Sequence, residues 1–444
     1  MLYCPNYTCQ APNAESNQFC HKCHTLLPKR YLWVLGKGVE TMQPGDWLSD
    51  RYLCKARRIV LDTKPGLVPT ELTEIPGVLQ PYLRLSPYRI HVPQIFALLP
   101  PSDLFSGGVV LLDAAALYIP LGGNGADAAA PAAAPSAAPV QRLPALVDLW
   151  PHASALRQIN WLLQICQLWQ PMLAEQVAET LLLPALIRVE GPIVRLTELR
   201  SPSSGQFTTL ARLGQLWQTW AATAHPDIRA PLSSLSQQLA AGQLATVEGL
   251  QAALDLLLAQ VGRSHPVSLH VATRTDQGPS RQRNEDACYP PADTVSSYTL
   301  GGATPSSALV IVCDGIGGHQ GGDVASNLAI ESVWQEMQAI AVPTLPSPAL
   351  SESLEKAALV ANDLISQRND SEQRFERQRM GTTLVTGLAR HNELYIAHVG
   401  DSRAYWITRW GCHQVTLDDD VASREVRMGY GIYREALRHP GSGS

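Results

Sequence analysis

Apolar and polar positions change their spacing several times along this chain, and each change marks a structural unit. Over residues 29–121 short β-type runs at 58–61, 88–92 and 109–112 alternate with prolines, which predicts a small β-rich unit. Residues 122–141 consist almost wholly of Gly, Ala, Pro and Ser between Gly122 and Pro139. Such a stretch buries too little area to offset the entropy of ordering, so a partly extended linker is expected. Over 142–262 the apolar residues Leu156, Ile159, Leu163 and Cys166, and later Leu250, Leu254, Leu257 and Val261, recur every three or four positions, as in amphipathic helices. Trp150, Trp161, Trp169, Trp217 and Trp220 give this helical unit a bulky core. From Val267 the period falls to two, with Val267, Leu269 and Val271 on one face. An apolar run at 309–312 then predicts a buried central strand. Val324, Ala325, Leu328, Ala329, Val333 and Trp334 predict a packed helix after it, and the stretches 290–307 and 367–379 are expected to be surface excursions.

Composition narrows the classes. A chain of 444 residues with 45% hydrophobic content folds as several domains, and a net charge of −5 argues against nucleic acid as the main partner. There is no apolar run of the ~18 residues that a membrane span needs, and the N-terminus lacks the pattern of a secretion signal, so a cytoplasmic location is expected. Nine cysteines, an odd number, do not read as a disulfide framework. Four of them stand in pairs, Cys4 with Cys9 and Cys20 with Cys23. This is zinc-ribbon spacing: four thiolates close a tetrahedral structural Zn2+ site, and a segment of 1–28 has too few apolar residues for a core of its own. Such a ribbon also offers a surface to a protein partner.

The chemistry concentrates at the end of the central strand. Asp314 emerges from a buried strand into the glycines Gly315, Gly317 and Gly318, and a tight bend there would bring its carboxylate and the Gly315 carbonyl towards one hard cation. Three further segments share this polar, glycine-bearing character: Thr275-Asp276-Gln277-Gly278 with Arg281 and Asn284-Glu285-Asp286, then Met380-Gly381-Thr382-Thr383, then Val399-Gly400-Asp401-Ser402-Arg403-Ala404-Tyr405. With the run from Asp314 to Ser326, these four segments in order resemble the signature motifs of the PP2C-type (PPM) metal-dependent serine/threonine protein phosphatases, bacterial type. The resemblance covers about 267–444.

The resemblance implies an α+β fold, a PP2C-like antiparallel β-sandwich flanked by helices, preceded here by the ribbon, the β-rich unit and the helical unit. It implies hydrolysis of phosphoserine and phosphothreonine in proteins by a metal-activated water. Asp314 would bridge two Mn2+ or Mg2+ ions, Gly315 would add its carbonyl, and Glu285 or Asp286 would be the upstream carboxylates. Arg281 would hold the phosphate and His319 would be the general acid. Asp401 would serve a third metal, the alternatives being an ion pair with Arg403 or a strand cap; for His319 the alternative is an ordinary exposed histidine. Thr416-Leu417-Asp418-Asp419-Asp420 departs from the family pattern and adds negative charge beside the site. Relatives place further aspartates in segments that would follow Ser444, so the domain is expected to be incomplete at its C-terminus. A catalytically impaired signalling adaptor is therefore the rival expectation. The helical unit, distantly, resembles the C-terminal lobe of a protein kinase, without the HRD or DFG motifs.

Overall fold

A computed structural model describes residues 1–69, 75–101, 105, 107–118, 140–203, 205, 207–263, 265–279, 282–301, 307–316, 321–408, 411–432 and 436. The expected linker lies almost wholly outside these residues. The chain divides into two compact units, one of Met1–Gln251 with the stretch that begins at Arg424, the other of Ala252–Ser423.

In the first unit the expected β-rich segment forms a six-stranded antiparallel sheet in the order Trp47–Leu48, Tyr52–Ala56, Ile59–Asp62, Tyr31–Leu35, Val109–Asp113, Gln94–Leu99. Leu32, Val34, Val60 and Leu111 are fully buried in its core. One expected strand is absent. Residues 88–92 turn instead, with the Val92 N–H on the Tyr88 carbonyl at 2.9 Å, and the strand begins only at Gln94. Pro87 and Pro93 bracket this stretch and deprive it of ladder donors, which outweighs its β-branched composition. A short helix, Gln80–Arg84, also interrupts the β-rich region. Further on, the helix Ala155–Ala174 packs on a hairpin of Ile187–Glu190 with Ile193–Leu196, and the helices Leu210–Ala221 and Pro226–Ala240 pack on each other. The tryptophans form its core as expected: Trp150, Trp161, Trp169 and Trp217 are all fully buried.

The second unit is built on an antiparallel sheet in the order Asp286–Tyr289, Ser307–Ile316, Leu384–Arg390, Glu393–Val399, with Gly381–Thr382 pairing the end of the second strand. Side chains alternate along the central strand. Leu309, Ile311 and Cys313 point into a core shared with Ala325, Ala329 and Val333 of the helix Gly322–Gln338, and with Leu350, Leu354 and Ala357 of the helix Ser347–Ser371. Val312, Asp314 and Ile316 point the other way and are exposed. A second, two-stranded sheet pairs Val267–Ala272 with Val295–Leu300, and a third pairs Tyr405–Ile407 with Cys412–Gln414. Within the stretch 290–307, the Val-Ser-Ser-Tyr-Thr-Leu run is thus no excursion but a strand, paired along the whole length of Val267–Ala272. Likewise 367–371 belongs to the long helix.

Candidate metal centre

Asp314 stands near the end of the central strand and is directly paired, in the antiparallel ladder, with Asp286. Residues opposite each other in such a ladder project to the same face, so the two carboxylates are neighbours by register alone. Glu285 precedes Asp286 in the chain, and Asp401 lies just beyond the strand Glu393–Val399. All four meet electrostatically. The Asp314 carboxyl is pushed up by partial burial, then by the charge of Asp286 and a hydrogen bond with it, and by the charges of Asp401 and Glu285. Asp286, Asp401 and Glu285 thus all act on Asp314, and carboxylate oxygens are hard donors of the kind that suits a divalent cation such as Mn2+ or Mg2+.

The backbone around them is tightly fixed. The Asp314 N–H donates to the Thr383 hydroxyl at 3.0 Å, and the Asp314 carbonyl accepts from the Thr383 N–H at 2.9 Å and the Thr382 hydroxyl at 3.1 Å. Thr383 in turn shares a 2.6 Å hydrogen bond with Ser402, which ties the segment carrying Asp401 to the central strand. The Ser326 hydroxyl donates to the Glu285 carbonyl at 2.8 Å, and Asn284 bonds the Thr275 hydroxyl at 2.8 Å. All four sequence motifs are therefore linked in series by hydrogen bonds of side-chain hydroxyls.

Gly315 behaves differently from expectation. The chain does not bend there; the strand runs on to Ile316, with Gly315 opposite Thr382. Glycine is required for another reason, since a Cβ at Gly315 would lie 2.1 Å from the Gly322 carbonyl oxygen and 2.7 Å from that of Glu285. Gly322 is as confined, with the Glu285 carboxylate 2.9 Å from where its own Cβ would be. Two glycines thus let the strand end, the start of the helix and Glu285 share one small volume.

Arg281 and His319 lie outside the described residues. Asp401 is not the partner of Arg403, whose guanidinium clasps Asp418 at 2.9 and 3.0 Å through Nε. Asp418 also accepts from Gln414, and Asp420 caps the helix Val421–Met428 by accepting from the Ser423 N–H at 2.6 Å, so at least these two acids of the unusual 418–420 run serve structure. Asn369 was not foreseen. Buried at the end of the long helix, it accepts from the Met380 N–H and donates to the Met380 carbonyl, both at 2.8 Å, and so sets the strand Gly381–Thr382 against the site. Asn369→Ala leaves two buried backbone groups unpaired, and an unfolding titration of the full chain should show this unit destabilised by about 2 kcal/mol.

At the N-terminus the four cysteines do converge. Their sulfurs all lie within 4.8 Å of one another, and among the described residues this is the cluster of three or more His, Cys, Asp or Glu ligand atoms that closes to such spacing. Cys4 and Cys23 are 3.4 Å apart, Cys9 and Cys20 3.8 Å. Burial pushes the Cys4 thiol up to about 12. At Cys20 burial acts in the same sense, but the Cys23 and Lys22 backbone and the Asn13 side chain donate to the sulfur and bring it down to about 6. His21 shares its Nδ1 with the Asn13 side-chain oxygen at 2.9 Å.

Comparison with known proteins finds its matches in the second unit. Residues 276–425 match the family model of Protein phosphatase 2C. The chain is similar to the serine/threonine phosphatase stp of Listeria monocytogenes, 32% identical over 178 residues that make up 39% of this chain and 63% of that protein. It is 33% identical over 172 residues to the serine/threonine protein phosphatase PstP of Mycobacterium tuberculosis, covering 39% of this chain and 29% of PstP. Among solved structures, the catalytic domain of PstP in complex with two manganese ions aligns at 30% identity over 38% of this chain and 64% of that one, with a TM-score of 0.30. The chain thus spans a little under two thirds of the Listeria relative. Among the described residues no helix is long and apolar enough to cross a membrane.

Proposed function

We propose that the second unit is a metal-dependent protein phosphatase acting on phosphoserine and phosphothreonine. The observation that carries this reading is the convergence of Glu285, Asp286, Asp314 and Asp401 at one end of a sheet, within the stretch that matches the phosphatase family. Asp314 and Asp286, with Glu285 and the Gly315 carbonyl, would hold two Mn2+ or Mg2+ ions, and Asp401 would serve a third. Such ions, when bound, neutralise the phosphoryl oxygens and lower the pKa of water so that it attacks at neutral pH. Arg281 would grip the phosphate through its planar fork, and His319 would hand a proton to the leaving alkoxide. The substrate is then a phosphorylated protein. Release of phosphate from a phosphothreonine peptide that requires manganese and stops on chelation tests the reading; no release at any metal concentration would leave the adaptor role in its place.

The cysteine cluster supports a structural zinc site and a surface for a protein partner. About one zinc per purified chain is expected, lost in the double substitution Cys20→Ser, Cys23→Ser. Elemental analysis that finds no zinc, with all four thiols open to alkylation, would rule the site out.

A further inference from the structure

Apart from the carboxylates around Asp314, the unit Ala252–Ser423 contains a cavity of about 790 Å3, a size that suits a drug-sized molecule. Its walls are mostly hydrocarbon. Leu256, Leu258 and Ala259 contribute from the helix Val247–Gly262, and Pro343, Leu345 and Pro346 from the stretch before the helix Ser347–Ser371. The walls are firmly joined. A Cβ on Gly262 would lie 2.2 Å from the Asn392 amide, so the helix end abuts the turn after Arg390. Arg390 in turn donates to the carbonyls of Val342, at 3.2 Å, and Leu345, and to the Tyr395 hydroxyl at 3.0 Å. Its Nε is buried with no hydrogen-bond partner among the described residues.

Five charged or titratable groups face this cavity: Asp255, Arg263, Arg390, His391 and Glu393. Arg390 and Glu393 neutralise each other at 2.6 Å. Asp255 has no such partner among the described residues. Burial pushes its carboxyl up to about 6, repulsion from Glu393 adds to this, and Arg390 opposes it. A half-buried carboxylate on a hydrocarbon wall is costly unless a cation pairs with it, and among the described residues Arg390, held by Glu393, acts on Asp255 without forming an ion pair with it.

We propose that this cavity binds a small organic cation, with its ammonium group on Asp255 and its hydrocarbon body against the leucine and proline walls. The site is independent of the phosphatase reading and is tested without reference to activity. Isothermal titration of the full chain with 3-phenylpropylamine should show saturable one-site binding. 3-Phenylpropan-1-ol should bind at least ~10-fold more weakly, because a charge-assisted contact is lost, and 3-phenylpropanoate should not bind. Asp255→Asn keeps the shape of the wall and should erase the difference between amine and alcohol. Ala259→Trp should crowd the wall beside Asp255 and weaken amine binding while thermal melts show the chain still folded. At about pH 5, where Asp255 is largely protonated, the wild-type chain should hold the amine less tightly than at about pH 7.5, and Asp255→Asn should show a clearly smaller change. Equal affinity for amine and alcohol, or amine binding untouched by either substitution, would overturn the proposal.

Discussion

Asp314→Asn is expected to cut manganese-dependent hydrolysis of a phosphothreonine peptide by on the order of 10² to 10³ in kcat, the range seen when one positioned electrostatic group is removed. The amide keeps the size of the carboxylate and loses the charge that would hold both ions. Its bonds to Thr382 and Thr383 use only the main-chain N–H and carbonyl of residue 314 and should survive. The same substitution removes the charge that Asp286, Asp401 and Glu285 all repel. In metal-free buffer the variant should therefore melt at a higher temperature than the wild-type chain, and added manganese should stabilise it less. This pairing separates loss of the site from loss of the fold. Asp363→Asn, an exposed position on the long helix, serves as the control and should leave activity unchanged. Activity in Asp314→Asn within about threefold of wild type would remove Asp314 from the metal set.

Gly315→Ala should be among the most damaging single changes in the second unit. The new Cβ would fall 2.1 Å from the Gly322 carbonyl, and both atoms belong to backbone that is held on the other side. The strand end is paired with Thr382, and the helix start is fixed by Ser326 on the Glu285 carbonyl. No flexible side chain can give way. Overpacking of this kind costs about 3 kcal/mol or more, and the parting of strand and helix should also weaken manganese binding. Gly381→Ala is the comparison. Its Cβ would meet only the end of the exposed Ile316 side chain, at 3.6 Å, so denaturant titration should show that it is tolerated. Equal stability of the two variants would mean that the close approach at Gly315 does not exist in solution.

Legibility in the sequence followed burial. The central strand was readable because four apolar residues in a row lead into an acid and glycines, and the helix after it because, of the apolar positions that repeat there, Ala325, Ala329 and Val333 form its buried face. The strand Val295–Leu300 was not. Its alternation is of serines and a threonine with one tyrosine, because most of its side chains face water and carry no apolar signature. The opposite error at 88–92 came from apolar residues whose neighbours, two prolines, decide the backbone. At the site, the types of residue were legible and their mutual placement was not. That Asp286 stands opposite Asp314, or that Arg403 would choose Asp418 over Asp401, depends on pairings between segments distant in the chain. The need for Gly315 was visible as a glycine, but its cause, a neighbouring backbone carbonyl, lies outside any local pattern.

The pairing of Asp286 with Asp314 also makes the site a gauge of how the sheet has assembled. In a ladder whose side chains alternate, a slip of one residue between the strands Asp286–Tyr289 and Ser307–Ile316 would set Ala287 opposite Asp314 and swing Asp286 into the helix layer. A short edge strand of four residues has few contacts with which to resist such a slip. Metal held between the two carboxylates would bind the native alignment alone and, by mass action, draw slipped chains back to it. Refolding with manganese present should then yield a more uniform population than refolding followed by manganese. The ion would in this way act on the chain before any substrate reaches it, as a selector among competing folded forms.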